Sequence, residues 1–348
     1  MKYQRLKSIA VQVHLAERVR KRLIKEGALL KGYKIKKDND YVYFPVKKST
    51  TLPKGVDKYS VVNKAFEKKE QHICSYKELV SLPEELKQEL PTSYDVIGQI
   101  LLIKLPQSLQ HHKKRIGEAL LQADTHIKTV CVIDPVRGEL RTRTIDVVAG
   151  EQKTTTIHRE YGLEFCVDVQ KTYFSSRLAS ERKRVASLVQ PGETVVDMFA
   201  GVAPFSIMIA RYANPKIIYA VDKNREAIKL AKTNVRKNKV LDKIETIHGD
   251  AKDVRTLIPC KADRVIMNLP FSAFHFLPYA LTQIEEKGVL HYYDILSEGM
   301  LTERIDEIKT IGRQNNIKLT TSRVRKIKTY APREFYIGMD ITATTMPM

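Results

Sequence analysis

The chain has 348 residues, 29% of them charged and 43% hydrophobic, which is the composition of a folded protein with more than one domain and excludes a disordered chain. Its 60 Lys and Arg against 40 Asp and Glu give a net charge of +20, which indicates a polyanionic partner. No apolar run approaches the roughly 18 residues that cross a bilayer, and the first residues lack the apolar core of a signal peptide. The 4 cysteines lack metal-ligand spacing. We therefore expect a cytoplasmic protein with reduced cysteines, no membrane span and no metal site.

Residues 1–72 are predicted to form a small basic α/β domain. Apolar residues recur on one helical face over 15–23, with Gly27 as the stop, and Y-V-Y-F-P-V at 41–46 has the pattern of a strand. The charge-rich residues 64–71 are predicted to be a linker or a helix. The first 70 residues contain 19 Lys and Arg against 7 Asp and Glu, which favours a nucleic-acid surface over the alternative of a solvated helix face.

Residues 73–188 are predicted to form a mixed α/β middle domain. A stretch of helical composition from Gln107 to Ala123 and a second helix from about Ser176 to Leu188 are expected. Arg141 and Arg143 alternate along one face of the strand-like G-E-L-R-T-R. Five further runs have strand composition: V-I-G-Q-I-L-L-I-K-L, I-K-T-V-C-V-I-D, T-I-D-V-V-A-G, T-T-T-I-H-R-E and L-E-F-C-V-D-V.

Residues 189–348 alternate strictly between strand and helix patterns. The strand-like runs are T-V-V-D-M-F, I-I-Y-A-V-D, I-E-T-I-H-G-D, R-V-I-M-N-L-P, V-L-H-Y-Y-D-I, L-T-T-S-R-V and F-Y-I-G-M-D-I. Such alternation predicts a mostly parallel, doubly wound sheet of seven strands, of which the last two form an antiparallel pair. Ligands of these sheets bind at the carboxyl ends of the strands.

The stretch V-V-D-M-F-A-G-V-A-P-F-S at 195–206 has the pattern of a cofactor-binding turn. Asp197 follows a buried strand, and Gly201 allows the backbone to approach a ligand closely. Only one glycine of the dinucleotide fingerprint G-x-G-x-x-G is present, so S-adenosylmethionine, which has no phosphate, fits better than a dinucleotide. A purely structural strand, turn and helix is the alternative.

Three later strands also end in polar residues. Asp222 is placed to accept hydrogen bonds from ribose hydroxyls, or else to cap the helix predicted at 225–237. Asp250 is placed to hold an adenine amino group, or else to form a cap or turn. Asn268 begins N-L-P-F, in which an amide, a rigid turn and an aromatic ring can hold a planar base.

At this point the sequence resembles the archaeal and eukaryotic tRNA (guanine-37) N1-methyltransferases. The resemblance covers nearly the whole chain and rests on Y-V-Y-F-P-V, G-E-L-R-T-R, Y-F-S-S-R-L-A-S-E-R, V-D-M-F-A-G-V-A-P-F, V-I-M-N-L-P and Y-A-P-R-E. It implies three domains, 1–72, 73–188 and 189–348, the last a class I (Rossmann-like) methyltransferase domain that binds S-adenosylmethionine. Two positions depart from the family pattern. Ala203 replaces a glycine, which raises a question about cofactor affinity, and Ser176 replaces a proline.

The resemblance also implies roles for individual residues. Methylation at N1 of guanine needs a base for the N1 proton and a cation for charge on O6, and the matching residues are Glu181 and Arg141. The alternative for Glu181 is an ion pair with Arg177 or Arg184 at helical spacing. The residues expected around the cofactor are Tyr173, Arg177, Asp197, Phe199, Gly201, Asp222, Asp250 and Asn268. Those expected around the target nucleoside are Arg141, Arg182, Asn268, Pro270 and Phe271.

We therefore predict an enzyme that methylates guanosine 37 of tRNA at N1. The nucleoside has to leave the anticodon stack, and the basic first domain is expected to contact the outer corner of the tRNA. Two alternatives remain open. One is a wyosine-pathway reaction on the same nucleoside, either 7-methylation of a tricyclic guanosine or aminocarboxypropyl transfer; the other is a non-catalytic tRNA-binding protein. We expect a monomer.

Overall fold

The computed structural model describes residues 3–30, 32–48, 50, 59–67, 75–134 and 144–346. The chain divides into two compact units, residues 1–79 and residues 80–348. The boundary predicted near 72 falls close to the division between the units, and the one predicted near 188 falls inside the second unit. Within the described ranges no helix is long and apolar enough to span a membrane.

The first unit contains a four-stranded antiparallel sheet with one main helix. Its elements are β1 (Tyr3–Gln12), α1 (Ala16–Lys25), β2 (Lys36–Lys37), β3 (Tyr41–Pro45), β4 (Ser60–Glu67) and α2 (Tyr76–Leu79). The strand order is β2-β3-β1-β4. Val19 and Leu23 of α1 pack on Ile9 and Phe44 of the sheet, which confirms the predicted apolar helix face and the strand in Y-V-Y-F-P-V.

The prediction of a linker or helix over residues 64–71 was wrong for residues 64–67. These residues complete β4 and pair with β1, Lys64 opposite Leu6 and Phe66 opposite Gln4. Phe66 is fully buried while its chain neighbour Ala65 is exposed, because successive side chains of a strand point to opposite faces. The charged residues Lys64 and Glu67 are half-buried on this strand, which lies at the edge of the sheet, where charged side chains are common. Residues 68–71 lie outside the described ranges.

The second unit begins with a small mixed sheet and a separate hairpin. The elements are α3 (Glu84–Gln88), β5 (Asp95–Ile97), β6 (Ile100–Ile103), α4 (Lys113–Ala123), β7 (Thr129–Ile133), β8 (Ile145–Gly150), β9 (Thr155–Glu160), β10 (Leu163–Asp168) and α5 (Ala179–Leu188). The sheet order is β5-β6-β7-β8, and β9 pairs with β10. The run V-I-G-Q-I-L-L-I-K-L forms two strands because the chain reverses at Gly98, whose φ is +55°.

The rest of the second unit is a seven-stranded sheet with helices. The elements are β11 (Thr194–Asp197), α6 (Pro204–Tyr212), β12 (Ile217–Asp222), α7 (Arg225–Lys237), β13 (Ile244–His248), α8 (Val254–Leu257), β14 (Ala262–Met267), α9 (Ala273–Gln283), β15 (Ile284–Ser297), α10 (Leu301–Gln314), β16 (Ile317–Ala331) and β17 (Glu334–Thr345). The order is β13-β12-β11-β14-β15-β17-β16, with β17 antiparallel to β15 and β16. The predicted α/β class and the final antiparallel pair are confirmed.

The central strands are apolar on both faces. Val195 belongs to the core on one face of the sheet, with α5, α6 and α7, and Val196 belongs to the core on the other, with α8 and α9. Burial on both faces gives such strands continuous apolar runs. Because β12, β11 and β14 are parallel neighbours, the residues that end them meet at one edge of the sheet. The site lies at that edge.

Candidate active site

A cavity of about 700 Å³ opens at the carboxyl edge of the large sheet. Segments on both sides of α5 form its walls, including residues 91–104 and the turns after β11, β12, β13 and β14. Ten of the residues that the sequence predicts for the site line it: Tyr173, Arg177, Arg182, Phe199, Gly201, Asp222, Asp250, Asn268, Pro270 and Phe271. Asp197 and Glu181 do not line it. Arg141 lies outside the described residues.

The turn after β11 brings backbone to the cavity. Gly201 has φ +56°, a left-handed conformation that glycine adopts without steric cost, and it lines the cavity. Ala203 is also left-handed, with φ +64°, and precedes Pro204 at the start of α6. The Ala203 side chain is fully buried in the core and does not line the cavity. Its replacement of a glycine therefore bears on backbone strain and not on contact with a ligand.

Asp222 is held at the end of β12 by two backbone N–H groups. Its carboxylate accepts hydrogen bonds from Gly201 N at 2.6 Å and from Asn224 N at 2.8 Å. Burial raises the pKa of Asp222, and these two hydrogen bonds oppose that rise. The cap of α7 is Asn224, whose side chain accepts from the N–H groups of residues 226 and 227. The alternative of Asp222 as the helix cap is thereby excluded, and the carboxylate faces the cavity.

Asp250 does act as a cap, in agreement with the alternative for that residue. Its Oδ1 accepts from Lys252 N at 3.0 Å and so begins a short 3₁₀ turn after β13. Its Oδ2 lies 3.1 Å from Nζ of Lys223. The Lys252 N–H first, and then Lys223, lower the pKa of Asp250, so it carries negative charge in the cavity wall.

Asp197, predicted to contact the cofactor, lies beneath the cavity. It is 1% exposed, and its Oδ2 accepts a hydrogen bond from the Ser206 hydroxyl at 2.8 Å. Burial raises its pKa to about 7. The side chain points into the protein because Asp197 is the last residue of a strand that is buried on both faces. Asp197 therefore packs beneath the turn and does not line the cavity.

An amide and two aromatic rings form another wall. Asn268 Oδ1 accepts a hydrogen bond from the Tyr336 hydroxyl, so its amide is oriented. Phe271 has φ +78° and is 55% exposed. Its ring meets that of Tyr330 edge to face, with centroids 5.2 Å apart. Sequence reasoning missed Tyr330, because the strand that carries it reaches the cavity only through pairing with β17.

The wall opposite is made by the segment between β10 and α5. Tyr173 is half-buried there, and Arg177 donates from Nε to Asp95 Oδ1 at 2.5 Å and from Nη2 to the Tyr94 carbonyl at 3.4 Å. Asp95, also missed from the sequence, thereby fixes Arg177 at the cavity. The alternative ion pair of Glu181 with Arg177 is not formed.

Arg182, predicted to support the substrate, is neutralised within the protein. It is 1% exposed and donates to both oxygens of Glu160, at 2.7 Å from Nε and 2.6 Å from Nη2. It also donates to the carbonyl of Ser175 at 3.1 Å. These partners leave the guanidinium few donors for a phosphate, although Arg182 lines the cavity, and its support of the substrate stays a prediction. Arg182 is paired in this way because folding brings the carboxylate of Glu160, at the end of β9, against its guanidinium.

Glu181 is engaged in a buried ion pair. It is 1% exposed and accepts from Arg184 Nη2 at 2.6 Å and from the Tyr293 hydroxyl at 2.9 Å. Of the alternatives for this residue, the pairing with Arg184 is the one observed. The structure therefore does not bring Glu181 into the cavity, although the neighbouring Leu178 and Arg182 line it.

Comparison with known proteins shows which family has this combination of a cofactor turn and an N-L-P-F segment. A family described as the TRM5/TYW2 methyltransferase domain matches residues 156–320, the TYW2 N-terminal domain matches 76–154, and the tRNA methyltransferase 5 N-terminal domain matches 8–51. A tRNA (guanine(37)-N(1))-methyltransferase of Pyrococcus abyssi, Trm5b, is 41% identical over 96% of this chain and 98% of its own. This chain belongs to the tRNA (guanine(37)-N(1))-methyltransferase family. The family, the enzyme class and S-adenosylmethionine as cofactor are thereby confirmed.

Solved structures of this methyltransferase family share the fold. The crystal structure of the Pyrococcus abyssi Trm5b aligns with a TM-score of 0.74 over 97% of this chain and 99% of that one, at 40% identity. A complex of aTrm5 with tRNALeu aligns with a TM-score of 0.69 over 96% of this chain and 99% of that one, at 33% identity. A tRNA(Phe) (4-demethylwyosine(37)-C(7)) aminocarboxypropyltransferase of Methanocaldococcus jannaschii is 34% identical over 71% of this chain and 96% of its own.

Proposed function

We propose that this protein transfers the methyl group of S-adenosylmethionine to N1 of guanosine 37 in tRNA. The observation that carries the proposal is the cavity at the sheet edge. Its walls combine the Gly201 turn and Asp222, which suit a nucleoside cofactor, with N-L-P-F at 268–271, which suits a planar base. Family membership supplies the reaction class, and the cavity supplies adjacent places for donor and acceptor.

The cofactor side of the cavity fits S-adenosylmethionine. Asp222 is fixed by Gly201 N and Asn224 N, so its remaining acceptor positions are oriented for two ribose hydroxyls. Asp250 offers a second carboxylate toward the adenine end, and Phe199 contributes an apolar surface beside it. When bound, S-adenosylmethionine supplies an electrophilic methyl group. The residues hold it by polar contacts at the ribose and adenine and by close backbone approach at Gly201.

We place the target guanine at the wall formed by Asn268, Phe271 and Tyr330. Drawing a stacked base out of the anticodon loop costs a few kcal/mol, which contacts in the pocket have to offset. The exposed rings of Phe271 and Tyr330 offer a surface for base stacking, a contact worth about 1–3 kcal/mol per base. The oriented amide of Asn268 is available to the edge of the base. Arg141 remains the proposed partner of O6, by resemblance.

Glu181 remains the proposed acceptor of the N1 proton. The described carboxylates that line the cavity are engaged as Glu181 is: Asp95 holds Arg177, Asp222 accepts two backbone N–H groups, and Asp250 pairs with Lys223. The assignment therefore rests on the family match. Glu181 matches the family's S-x-R-L-x-x-E-R and stands between two cavity-lining residues of the chain. To reach the base it has to exchange Arg184 or Tyr293 for the nucleoside when tRNA binds.

The tRNA contacts are proposed on two basic surfaces. In the first unit, α1 exposes Arg18, Lys21 and Lys25, which suit the outer corner of the tRNA. In the second unit the edge strand β16 exposes Arg323, Arg325 and Lys326, and the same strand continues to Tyr330 at the cavity. This second surface suits the backbone of the anticodon arm. One protomer contains both surfaces and the cavity, and we propose that it acts as a monomer.

A wyosine-pathway reaction is the second candidate, since the related aminocarboxypropyltransferase acts on position 37 of tRNA(Phe) by its name. The two candidate reactions differ in how much of this chain their relatives match. That relative matches 71% of this chain, whereas the N1-methyltransferase matches 96% and the tRNA methyltransferase 5 N-terminal domain matches residues 8–51. These matches favour N1-methylation. A non-catalytic binding protein is disfavoured by an intact cavity with Asp222, Asp250 and Asn268.

The test is labelled methyl transfer to two unmodified transcripts that differ only in having guanosine or adenosine at position 37. Label in the guanosine transcript alone, with a primer-extension stop at that base, is expected. Asn268→Ala serves as the matched variant and should lose transfer while it still binds S-adenosylmethionine. Equal labelling of both transcripts would contradict the proposal. So would transfer of an aminocarboxypropyl group, which mass spectrometry of the nucleoside detects.

The role of Glu181 is tested by Glu181→Gln under single-turnover conditions. Glutamine keeps the shape and can still contact Tyr293, but it accepts no proton. We expect methyl transfer to fall by about 100-fold or more, the typical contribution of a positioned base, with unchanged binding of S-adenosylmethionine. A wild-type rate would exclude Glu181 as the base.

A further inference from the structure

Glu181 is the first member of a row of buried charged and polar side chains that extends from α5 through β17, β15 and β14 to Glu193, just before β11. We call this row the Glu181 network: Glu181, Arg184, Asp340, His291, Arg264 and Glu193. Its members come from five separate parts of the chain, and each is buried or nearly so. None of these six residues lines the cavity.

At the centre of this network, Arg184 bridges two carboxylates. Its Nε donates to both oxygens of Glu181, at 3.1 and 3.0 Å, and its Nη2 donates to Oε1 at 2.6 Å. On its other side Nη1 donates to Asp340 Oδ2 at 2.7 Å, and Nη2 donates to Oδ1 at 3.0 Å. One cation is therefore shared between two anions, and the three side chains together carry a net negative charge.

Asp340 is itself fixed from behind. His291 Nδ1 lies 2.7 Å from Asp340 Oδ1, and His291 Nε2 lies 2.9 Å from Nη1 of Arg264. Because a guanidinium only donates, Nε2 has to accept, and Nδ1 then carries the proton that it donates to Asp340. Burial, together with Arg264, favours this neutral imidazole and lowers the pKa of His291. Asp340 therefore has a partner besides Arg184 that does not depend on Glu181.

We infer that Asp340 is a positioning residue for proton transfer to Glu181, because it keeps Arg184 paired when Glu181 becomes neutral. This inference rests on the proposed role of Glu181. A guanidinium stays charged in proteins, and a buried charge that loses its partner is strongly unfavourable. With Asp340 present, protonation of Glu181, or its movement toward the base, leaves Arg184 with a carboxylate. Without Asp340, either event leaves the buried Arg184 without a carboxylate partner.

The other groups that face Glu181 cannot replace Asp340 as the partner of Arg184. The Tyr293 hydroxyl donates to Oε1 at 2.9 Å but is neutral. Arg325 Nη1 lies 3.7 Å from Oε2 and is a second cation, so it cannot serve as a partner for Arg184. Removing the charge of Asp340 leaves two cations and one anion at this place. Glu181 should then take up a proton less readily and transfer should slow.

The experiment compares Asp340→Asn with wild type in single-turnover methyl transfer to the guanosine-37 transcript, as a function of pH. We expect a rate about tenfold lower at pH 7, an unchanged KM for tRNA, and a low-pH limb of the rate profile displaced toward lower pH by about one unit. Glu193→Gln is the matched control. It breaks a buried ion pair at the far end of the network, where Arg264 holds Glu193 at 2.9 Å, and it should leave the limb in place.

The outcomes separate the inference from the proposed function. A slowed Asp340→Asn enzyme with a displaced limb, beside an inactive Glu181→Gln enzyme, supports the inference. An unchanged limb, or an equal loss in Glu193→Gln, overturns it while the role of Glu181 stands. A wild-type rate for Glu181→Gln overturns both. If Asp340→Asn does not bind S-adenosylmethionine, Arg184→Lys replaces it, because lysine keeps the charge without a fork that bridges two carboxylates. A displaced limb then supports the inference and an unchanged one overturns it.

Discussion

Asp197 should make the stability of the protein depend on pH. Burial raises its pKa from an ordinary 3.8 to about 7 in the folded chain, where it is 1% exposed. Between these two values the folded state holds the proton that the unfolded state has released. The free energy of unfolding therefore falls as pH rises through this window, by about 1.4 kcal/mol per pH unit. Between pH 5 and pH 7 the loss is about 2 kcal/mol, because the slope flattens as the pH reaches the folded-state pKa.

The variant Asp197→Asn removes this titration and can keep the hydrogen bond from Ser206. We expect its free energy of unfolding, relative to wild type, to rise by about 3 kcal/mol between pH 5 and pH 8. Urea denaturation without cofactor measures both proteins at each pH. The variant Asp242→Asn, at an exposed carboxylate, is the control and should show no such trend. A difference between Asp197→Asn and wild type that stays constant with pH would refute a protonated Asp197 in the folded state.

Three further substitutions test the description of the site. Asp222→Asn should weaken S-adenosylmethionine binding by about 10- to 100-fold in calorimetry, because hydrogen bonds to a charged group contribute about 1.5–3 kcal/mol; unchanged affinity would contradict the ribose contact. Ala203→Gly relieves the strain of a left-handed alanine, but it removes a buried methyl group and raises the entropy of the unfolded chain. The free energy of unfolding should therefore change by less than about 1 kcal/mol, and cofactor affinity by less than about twofold. Arg182→Met should lower the free energy of unfolding by about 3–5 kcal/mol, because the buried Glu160 loses its guanidinium partner. Adding Glu160→Leu should recover much of the loss, and weaker tRNA binding without destabilisation would instead support the substrate role.

The strand-end residues were predictable from sequence because their neighbours along the chain determine their place. A buried strand followed by a polar residue ends at the carboxyl edge of a parallel sheet, so Asp222, Asp250 and Asn268 meet without knowledge of any long-range contact. The same reasoning located the Gly201 turn and the helix at 225–237. What it left open was whether a given carboxylate faced the ligand or the protein.

That choice depended on partners from distant parts of the chain. Glu181 and Arg182 are adjacent, yet one pairs with Arg184 and Tyr293 and the other with Glu160 on β9. Tyr330 reaches the cavity because β16 pairs with β17 and not with an earlier strand. Local pattern determined the sheet, its order of elements and the edge at which a cofactor binds. Tertiary structure alone decided which charges are neutralised in the interior, because a buried ion takes the nearest opposite charge that folding brings to it.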